Sequence, residues 1–393
     1  MLDSSNPRSV TVLGSTGSIG RSTLSLLESA QPGAFRVEAL VAGRNVAALI
    51  EQAWAFRPQM AVIADENAYA ELKNGLAGSG IEVAAGASAV VSAASVPVDW
   101  TMAAIVGAVG LKSTVAALLR GGILALANKE SLVCAGNIVL EAARVGGANI
   151  LPVDSEHNAI FQVLNSVELA SVEKIVLTAS GGPFRNSTLA QMEQATPELA
   201  VAHPVWSMGA KISVDSATMF NKGLELIEAA RLFNLPQHKI EILVHPQSTV
   251  HGLVQYVDGS LLAQLGSPDM RTPIASCLAW PARMTTDVCR LDLAELGRLE
   301  FERPDLIRFP ALRIAREALL AEGGAPCILN AANEVAVEGF LGRRLSFLDI
   351  AAVVEETLSL MAGHKVSDLA SVLSLDEAAR REASRIAAHR AAA

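Results

Sequence analysis

The sequence predicts an α/β protein built in three parts: a parallel sheet covered on both faces, a middle region of mixed strands and helices, and a C-terminal α-helical bundle. Three observations predict it. Strand-like runs alternate with helical patterns through the first 150 residues, at Ser9–Leu13, Phe35–Val41, Met60–Ala64, Ile81–Ala84, the apolar run ending at Val109, Ile123–Ala127 and Ala148–Val153. Such β-α alternation builds a parallel sheet. Between Lys174 and about Trp280, strand-like and hydroxyl-rich segments follow one another, which predicts a second, partly antiparallel sheet. From Ala311 the periodicity is helical, over Leu312–Leu320, Asn330–Leu341 with an asparagine cap, Phe347–Met361 and Leu375–Ala392. Four helices joined by short loops make a small bundle.

Composition limits the function. The 393 residues are 51% apolar, enough for a large core, and carry a formal net charge of −9. This balance argues against a nucleic-acid partner, because tracking phosphates needs a basic face, while a small anionic substrate would need only a local cluster of cations. The most apolar window, Met102–Leu111, is stopped by Lys112, and Met1–Arg8 lacks the hydrophobic region of a signal peptide, so no membrane partner and a cytoplasmic location are expected. Cys134, Cys277, Cys289 and Cys327 form no C-x-x-C pair and read as core packing residues in a reduced compartment.

In chain order, the first strand runs into Gly14-Ser15-Thr16-Gly17-Ser18-Ile19-Gly20 and then a helical pattern. A glycine turn there can offer backbone N–H groups and a helix N-terminus to a pyrophosphate, as in a Rossmann-type sheet, although its G-x-x-G-x-x-G spacing is not the G-x-G-x-x-G of the NAD fingerprint; a plain tight turn is the competing reading. After the second strand stands Ala42-Gly43-Arg44-Asn45. A cation at this place accepts the 2′-phosphate of NADP(H), where an acid would bind the free hydroxyl of NAD; a surface arginine opening the next helix is the alternative. Ala127-Asn128-Lys129-Glu130-Ser131 follows a strand end, so Lys129 is a candidate contact, and Asn128 with Glu130 equally suit a helix start.

Pro152-Val153-Asp154-Ser155-Glu156-His157-Asn158 organises the middle region. If the preceding apolar run is a strand that continues, Asp154 and Glu156 project from one face, and two carboxylates so close need a cation between them. Oxygen-only ligation suits Mg²⁺ or Mn²⁺; two solvated acids at a strand end are the other reading. A helix over Ala159–Asn165 and a strand over Lys174–Ala179 follow, the strand ending in Ser180-Gly181-Gly182, an anion-holding turn or a turn alone. Pro197–Gly209, with His203, Trp206 and Met208, reads as a loop that closes over a ligand or packs its tryptophan on the core. In Lys211–Glu225, Asn221 and Glu225 share a helix face, so Glu225 can be the third metal ligand beside Ser216, Asn221 and Lys222 as phosphate-binding groups. Glu228 reads as a surface partner of Arg231 or of a cation elsewhere, such as Arg44. His245 and His251 fall in one strand-like segment, Ile240–Val257, as hydrogen-bonded structural residues, and Pro281–Pro310 is a connector.

Six of these stretches, Gly14–Gly20, Ala127–Ser131, Pro152–Asn158, Ser180–Phe184, His203–Gly209 and Lys211–Glu225, occur in one order that closely resembles the 1-deoxy-D-xylulose 5-phosphate reductoisomerase family over essentially the whole chain. The resemblance implies four segments: residues 1–153 binding NADPH; residues 154–281 as a catalytic α+β domain with a flap over about 197–211; a linker over 282–310; and a four-helix bundle over 311–393. It implies that Thr16, Gly17, Ser18, Ile19, Gly43, Arg44, Asn45, Asn128, Glu130 and Gly209 contact NADPH. Asp154, Glu156 and Glu225 would hold Mg²⁺ or Mn²⁺, and Lys129, Ser155, Glu156, Ser180, His203, Ser216, Asn221, Lys222 and Glu225 a small phosphorylated sugar. Lys129, His203 and the three acids form the implied catalytic set, Trp206 lies in the flap, and a homodimer is implied. The implied chemistry is rearrangement of the carbon skeleton, by retro-aldol and aldol steps or by an α-ketol shift, followed by reduction with NADPH.

Arg44→Asp should weaken NADPH binding at least about tenfold more than NADH binding, since only the former brings the extra phosphate to a charge-assisted bond. Fluorescence titration with both nucleotides checks this, and equal losses would remove Arg44 from phosphate recognition.

Overall fold

The structure is a computed structural model and describes residues 7–206 and 208–391. Met1–Asn6 of the polar Met1–Arg8 segment, Ser207 of the expected flap and Ala392 of the expected last helix lie outside the described residues.

The first part of the chain alternates β1 (Arg8–Leu13), α1 (Ser18–Ser29), β2 (Phe35–Ala42), α2 (Val46–Phe56), β3 (Met60–Ile63), α3 (Tyr69–Gly75), β4 (Glu82–Ala85), α4 (Ala87–Ser95), β5 (Trp100–Ala103), α5 (Leu111–Arg120), β6 (Ile123–Leu126), α6 (Lys129–Gly146), β7 (Asn149–Pro152) and α7 (Ser155–Val163). Then come β8 (Val172–Ala179), α8 (Leu189–Glu193), α9 (Pro197–Val201), α10 (Ala210–Thr218), α11 (Phe220–Leu232), β9 (Ile240–Val244), β10 (Val250–Tyr256), β11 (Leu261–Leu265), α12 (Arg271–Ala279) and α13 (Leu293–Leu296). Four helices close the chain: α14 (Ala311–Ala321), α15 (Ala325–Leu341), α16 (Asp349–Leu360) and α17 (Leu369–Ala391). Among the described residues no helix is long and apolar enough to cross a membrane.

Two compact units result, one of residues 1–131, 137–158 and 269–289, the other of 132–136, 159–268 and 290–393. The first holds a seven-stranded sheet in the order β4-β3-β2-β1-β5-β6-β7, parallel throughout. Its inner strands are buried on both faces: β1, β2 and β5 are buried along nearly their whole length, Thr11, Glu38 and Thr101 included. Residues 271–279, expected to finish the second sheet, form α12 and pack in this unit. The helix leaves its last carbonyls without intrahelical donors, and the unit supplies them. The Trp100 indole donates to the Cys277 carbonyl at 3.0 Å, and the Arg8 guanidinium to those of Leu278 at 2.6 Å and Trp280 at 3.3 Å.

The second unit holds a four-stranded mixed sheet, β11-β10-β8-β9, with β10 antiparallel to β8 and β11, and β8 parallel to β9. The sheet, α10, α11 and the closing helices share one apolar core. In it Phe347 meets Phe184 and Phe340 edge-on, at centroid separations of 4.8 and 5.7 Å. The closing helices differ in detail from the sequence expectation. α15 begins at Ala325 with Pro326 in its first turn, so Asn330 lies inside the helix, fully buried, instead of capping it. α17 begins at Leu369, six residues early. His245 and His251 do not share a strand, because Pro246 and the positive φ of Ser248 (51°) break the segment between β9 and β10. Three of the cysteines are buried as expected, but Cys289 is exposed.

Trp100→Phe keeps the ring and removes the donor, leaving a buried carbonyl unpaired. It should cost about 1–3 kcal/mol of stability, measured by denaturant unfolding; a loss below a few tenths would show that the indole bond does not hold α12.

Candidate active-site residues

In the first unit the strand order reverses between β1 and β5, and ligands in such sheets bind past the carboxyl ends of the strands at that reversal. The glycine turn sits there. Gly14 and Ser15 donate to the Val41 carbonyl at 2.8 Å each, and Gly17 donates to that of Gly14 at 3.1 Å. Gly14 adopts φ +90°, and a Cβ on it would lie 2.5 Å from the Ala104 oxygen. A Cβ on Gly20 would overlap the Gly14 oxygen, so side chains at either place would push the turn open. Gly17 and Ser18 are exposed where α1 begins, with Thr16 and Ile19 half-buried beside them. This is a cradle of the kind a pyrophosphate fits. At the end of β2, Gly43, Arg44 and Asn45 are exposed, and the Asn45 side chain caps α2 by accepting from the Ala48 amide.

Asn128, Lys129 and Glu130 are all buried. Asn128 is the N-cap of α6: its side-chain oxygen accepts from the Ser131 amide at 2.8 Å, and its amide group donates to the Ile105 and Gly107 carbonyls. Lys129 meets Asp154 for a reason of register. β6 and β7 are parallel, with Leu126 opposite Pro152, so residues just past both ends emerge side by side. The Lys129 Nζ lies 2.5 Å from Asp154 Oδ2, and His157 Nδ1 lies 4.0 Å from the same oxygen. Asp154 and Glu156 do not project from one strand face, contrary to the alternation argument. The strand ends at Pro152, the Asn158 amide donates to the Asp154 carbonyl, and Glu156 stands in the first turn of α7, where the Ser155 hydroxyl donates to it at 2.5 Å.

In the second unit β8 delivers Ser180 at its carboxyl end. Ser180 Oγ accepts from the Gly182 amide at 3.1 Å and lies 2.8 Å from His203 Nε2. His203 Nδ1 accepts from the amides of Val205 at 3.2 Å and Trp206 at 2.9 Å. The proton of the neutral ring is therefore on Nε2 and is donated to Ser180. Burial holds the His203 pKa below the usual histidine range. Acid strong enough to protonate Nδ1 would break both amide bonds and release the 203–206 segment. Trp206 lies half-buried with its ring 6.2 Å from that of His251. Burial pushes His251 down to about 4, so it stays neutral.

Helices α10 and α11 are separated by Met219 at φ 66°, and they carry Ser216 on one side and Asn221, Lys222 and Glu225 on the other. The expected helical spacing holds: Asn221 and Lys222 both donate to the Glu225 carboxylate, one to each oxygen. Gly209 is the exposed N-cap residue of α10. Glu228 is not on the surface. It shares the buried face of α11 with Lys222 and Glu225 and is 1% exposed. Arg231 turns instead to the carbonyls of Leu132 and Val133.

The expected metal donors, Asp154 and Glu156 in the first unit and Glu225 in the second, are all carboxylates. Hard oxygen donors of this kind fit Mg²⁺ or Mn²⁺ and not a thiolate-seeking ion. Sequence reasoning passed over Asp215, which lies 1% exposed and accepts from Lys211 and from Asn333 of α15. No local pattern announces a contact across 118 positions.

Comparison with known proteins identifies the family. The family description 1-deoxy-D-xylulose 5-phosphate reductoisomerase matches residues 10–136, its C-terminal domain description residues 150–233, and a DXP reductoisomerase C-terminal domain description residues 265–382. The chain is 60% identical over 381 residues to the 1-deoxy-D-xylulose 5-phosphate reductoisomerase of Rhodospirillum centenum, covering 97% of this chain and 94% of that one. The enzyme of the same name from Zymomonas mobilis, solved in complex with NADPH, superposes with a TM-score of 0.93 at 53% identity, covering 97% of this chain and 99% of the other. A DOX-P reductoisomerase solved with NADPH, fosmidomycin and magnesium gives 0.91 at 44% identity, covering 97% and 98%. The chain belongs to the 1-deoxy-D-xylulose 5-phosphate reductoisomerase family.

Proposed function

We propose that the protein converts 1-deoxy-D-xylulose 5-phosphate to 2-C-methyl-D-erythritol 4-phosphate, using NADPH and one divalent cation, Mg²⁺ or Mn²⁺, in the non-mevalonate route to isopentenyl diphosphate. The observation that most supports this reading is likeness along nearly the full length to enzymes of that name, one of them solved with NADPH and magnesium together. In this reading residues 1–153 hold the nucleotide, 154–281 carry the metal and substrate groups with a flap over about 197–211, 282–310 connect, and 311–393 buttress the site. The protein acts in the cytoplasm as a homodimer.

The glycine turn, through Thr16, Gly17, Ser18 and Ile19, receives the pyrophosphate, and Gly43, Arg44 and Asn45 receive the 2′-phosphate end. Asn128, Glu130 and Gly209 complete the nucleotide contacts, Asn128 by fixing the 105–107 loop and the start of α6 rather than by a free side chain. Asp154, Glu156 and Glu225 hold the divalent ion. When bound, that ion supplies positive charge to the ketone and a neighbouring hydroxyl, and NADPH supplies hydride to the rearranged aldehyde.

The chain's own groups do the rest. Lys129, aimed by Asp154, places a second positive centre near the reacting oxygens. Ser155 and Glu156 orient the sugar hydroxyls. Ser180, His203, Ser216, Asn221 and Lys222 bind the phosphate away from the reacting carbons, so its binding energy is available to order the 203–206 segment and exclude water. Trp206 covers the ligand as part of that segment.

Incubation with 1-deoxy-D-xylulose 5-phosphate, NADPH and Mg²⁺ should consume NADPH and yield the methylerythritol phosphate; EDTA should abolish turnover and added Mg²⁺ or Mn²⁺ restore it. Turnover that survives complete chelation would sink the metal-dependent reading. Glu225→Gln should lower kcat by at least about a hundredfold while NADPH affinity changes little. A fully active variant would remove Glu225 from the ion's ligands.

A further inference from the structure

We propose that Asp215 is a positioning residue that sets the seat for the substrate's phosphate group, by fixing the rotation of α10 through Lys211 on one side and Asn333 on the other. The inference rests on the phosphate-binding role given above to Ser180, Ser216, Asn221 and Lys222.

α10 is nine residues long, starts at Gly209 without a side-chain cap and stops at the left-handed Met219. A helix this short does not hold itself together in water, so its place and rotation come from tertiary contacts. Its buried face carries one charge, Asp215, which is 1% exposed. Lys211 Nζ lies 2.7 Å from Asp215 Oδ2, and Asn333 Nδ2 donates to Oδ1 at 2.8 Å. Asn333 is itself fully buried on α15, so it cannot follow a helix that turns. The carboxylate is held from both sides, by a cation of its own helix and by a rigid neighbour.

The next residue is Ser216. One residue along a helix is a turn of about 100°, so with Asp215 locked toward α15 the Cα–Cβ bond of Ser216 is fixed in direction and its hydroxyl is left only its staggered rotamers. The opposite wall is equally close. Gly182 sits at φ +65°, and a Cβ on it would lie 2.9 Å from the Ser216 oxygen and 3.0 Å from the Ala217 Cα. Through Gly182, whose amide donates to Ser180 Oγ, the Ser180 turn rests on the Ser216–Ala217 backbone. A rotation of α10 would thus move Ser216 and disturb Ser180 together. Lys211 lies at the C-terminal limit of the expected flap, so the same ion pair also ties the flap's end to this seat.

The test uses the full-length enzyme with Mg²⁺ and NADPH. Asp215→Asn keeps the shape and an oxygen for Asn333 but turns an amide group toward Lys211. Lys211→Met removes the cation from a side chain that is 31% exposed and leaves Asp215 its Asn333 bond, so it lowers the melting temperature without emptying the core. Both should raise KM for 1-deoxy-D-xylulose 5-phosphate, Asp215→Asn by about ten- to a hundredfold, with kcat changed by less than about threefold and NADPH affinity unaltered. Inorganic phosphate, measured by calorimetry and as a competitive inhibitor, should weaken in parallel. A lower melting temperature with KM and phosphate binding unchanged would overturn the proposal and leave Asp215 a packing residue. If Asp215→Asn does not fold, the Lys211→Met result decides alone. Absence of turnover in the wild type would strike the reading above, while calorimetry with phosphate would still judge Asp215.

Discussion

A carboxylate taken out of water must be given a cation or hydrogen-bond donors, and this requirement shapes both units of the protein. Lys222 and Glu225 are buried against one another on α11, with Asn221 donating to the second carboxylate oxygen. Lys129, 8% exposed, serves Asp154 in the first unit, and Lys211 with Asn333 serves Asp215 in the second. Removing one member of such a pair strands the other charge in a medium that does not solvate it. In the proposed function two of these pairs, Lys129 with Asp154 and Lys222 with Glu225, have a second meaning: an acid that turned to a divalent ion would free its lysine for an oxygen of the substrate.

The fold places these groups by strand ends. Parallel register between β6 and β7 brings Lys129 and Asp154 out together, and β8 delivers Ser180 into a turn that rests on α10. The strands are apolar and buried because the sheet is covered on both faces, which leaves their carboxyl ends as the places where polar side chains can gather. α12 belongs to the same logic. Its carbonyls are completed by Trp100 and Arg8 from the strand region of the first unit, although more than 170 residues separate them in the chain.

What could be read from the sequence was whatever local spacing decides. The strand–glycine turn–helix at Leu13–Gly20 and the Asn221–Glu225 pairing depend on neighbours a few positions away, and both are present. The Asp154–Glu156 reading reached the right pair by the wrong geometry: period two was carried past a strand that ends at Pro152, and the chain turns helical at Ser155, yet a carboxylate oxygen of each acid still lies within 4.8 Å of one on the other. The single strand through His245 and His251 failed at Pro246, which cannot donate to a ladder. Glu228 was assigned to the surface because Arg231 lies three positions on, yet helical spacing also places it under Lys222 and Glu225, and burial won. Asp215 with Asn333 was beyond reach, since neither residue signals the other until the closing helices are packed.

The Ser180 hydroxyl carries a final consequence. It receives one hydrogen from the Gly182 amide and another from the neutral His203 ring, so both of its lone pairs are spoken for and only its own proton can point outward. In the proposed function an oxygen of the substrate's phosphate facing Ser180 has to accept that hydrogen, a polarity that one imidazole tautomer imposes through a neighbouring alcohol.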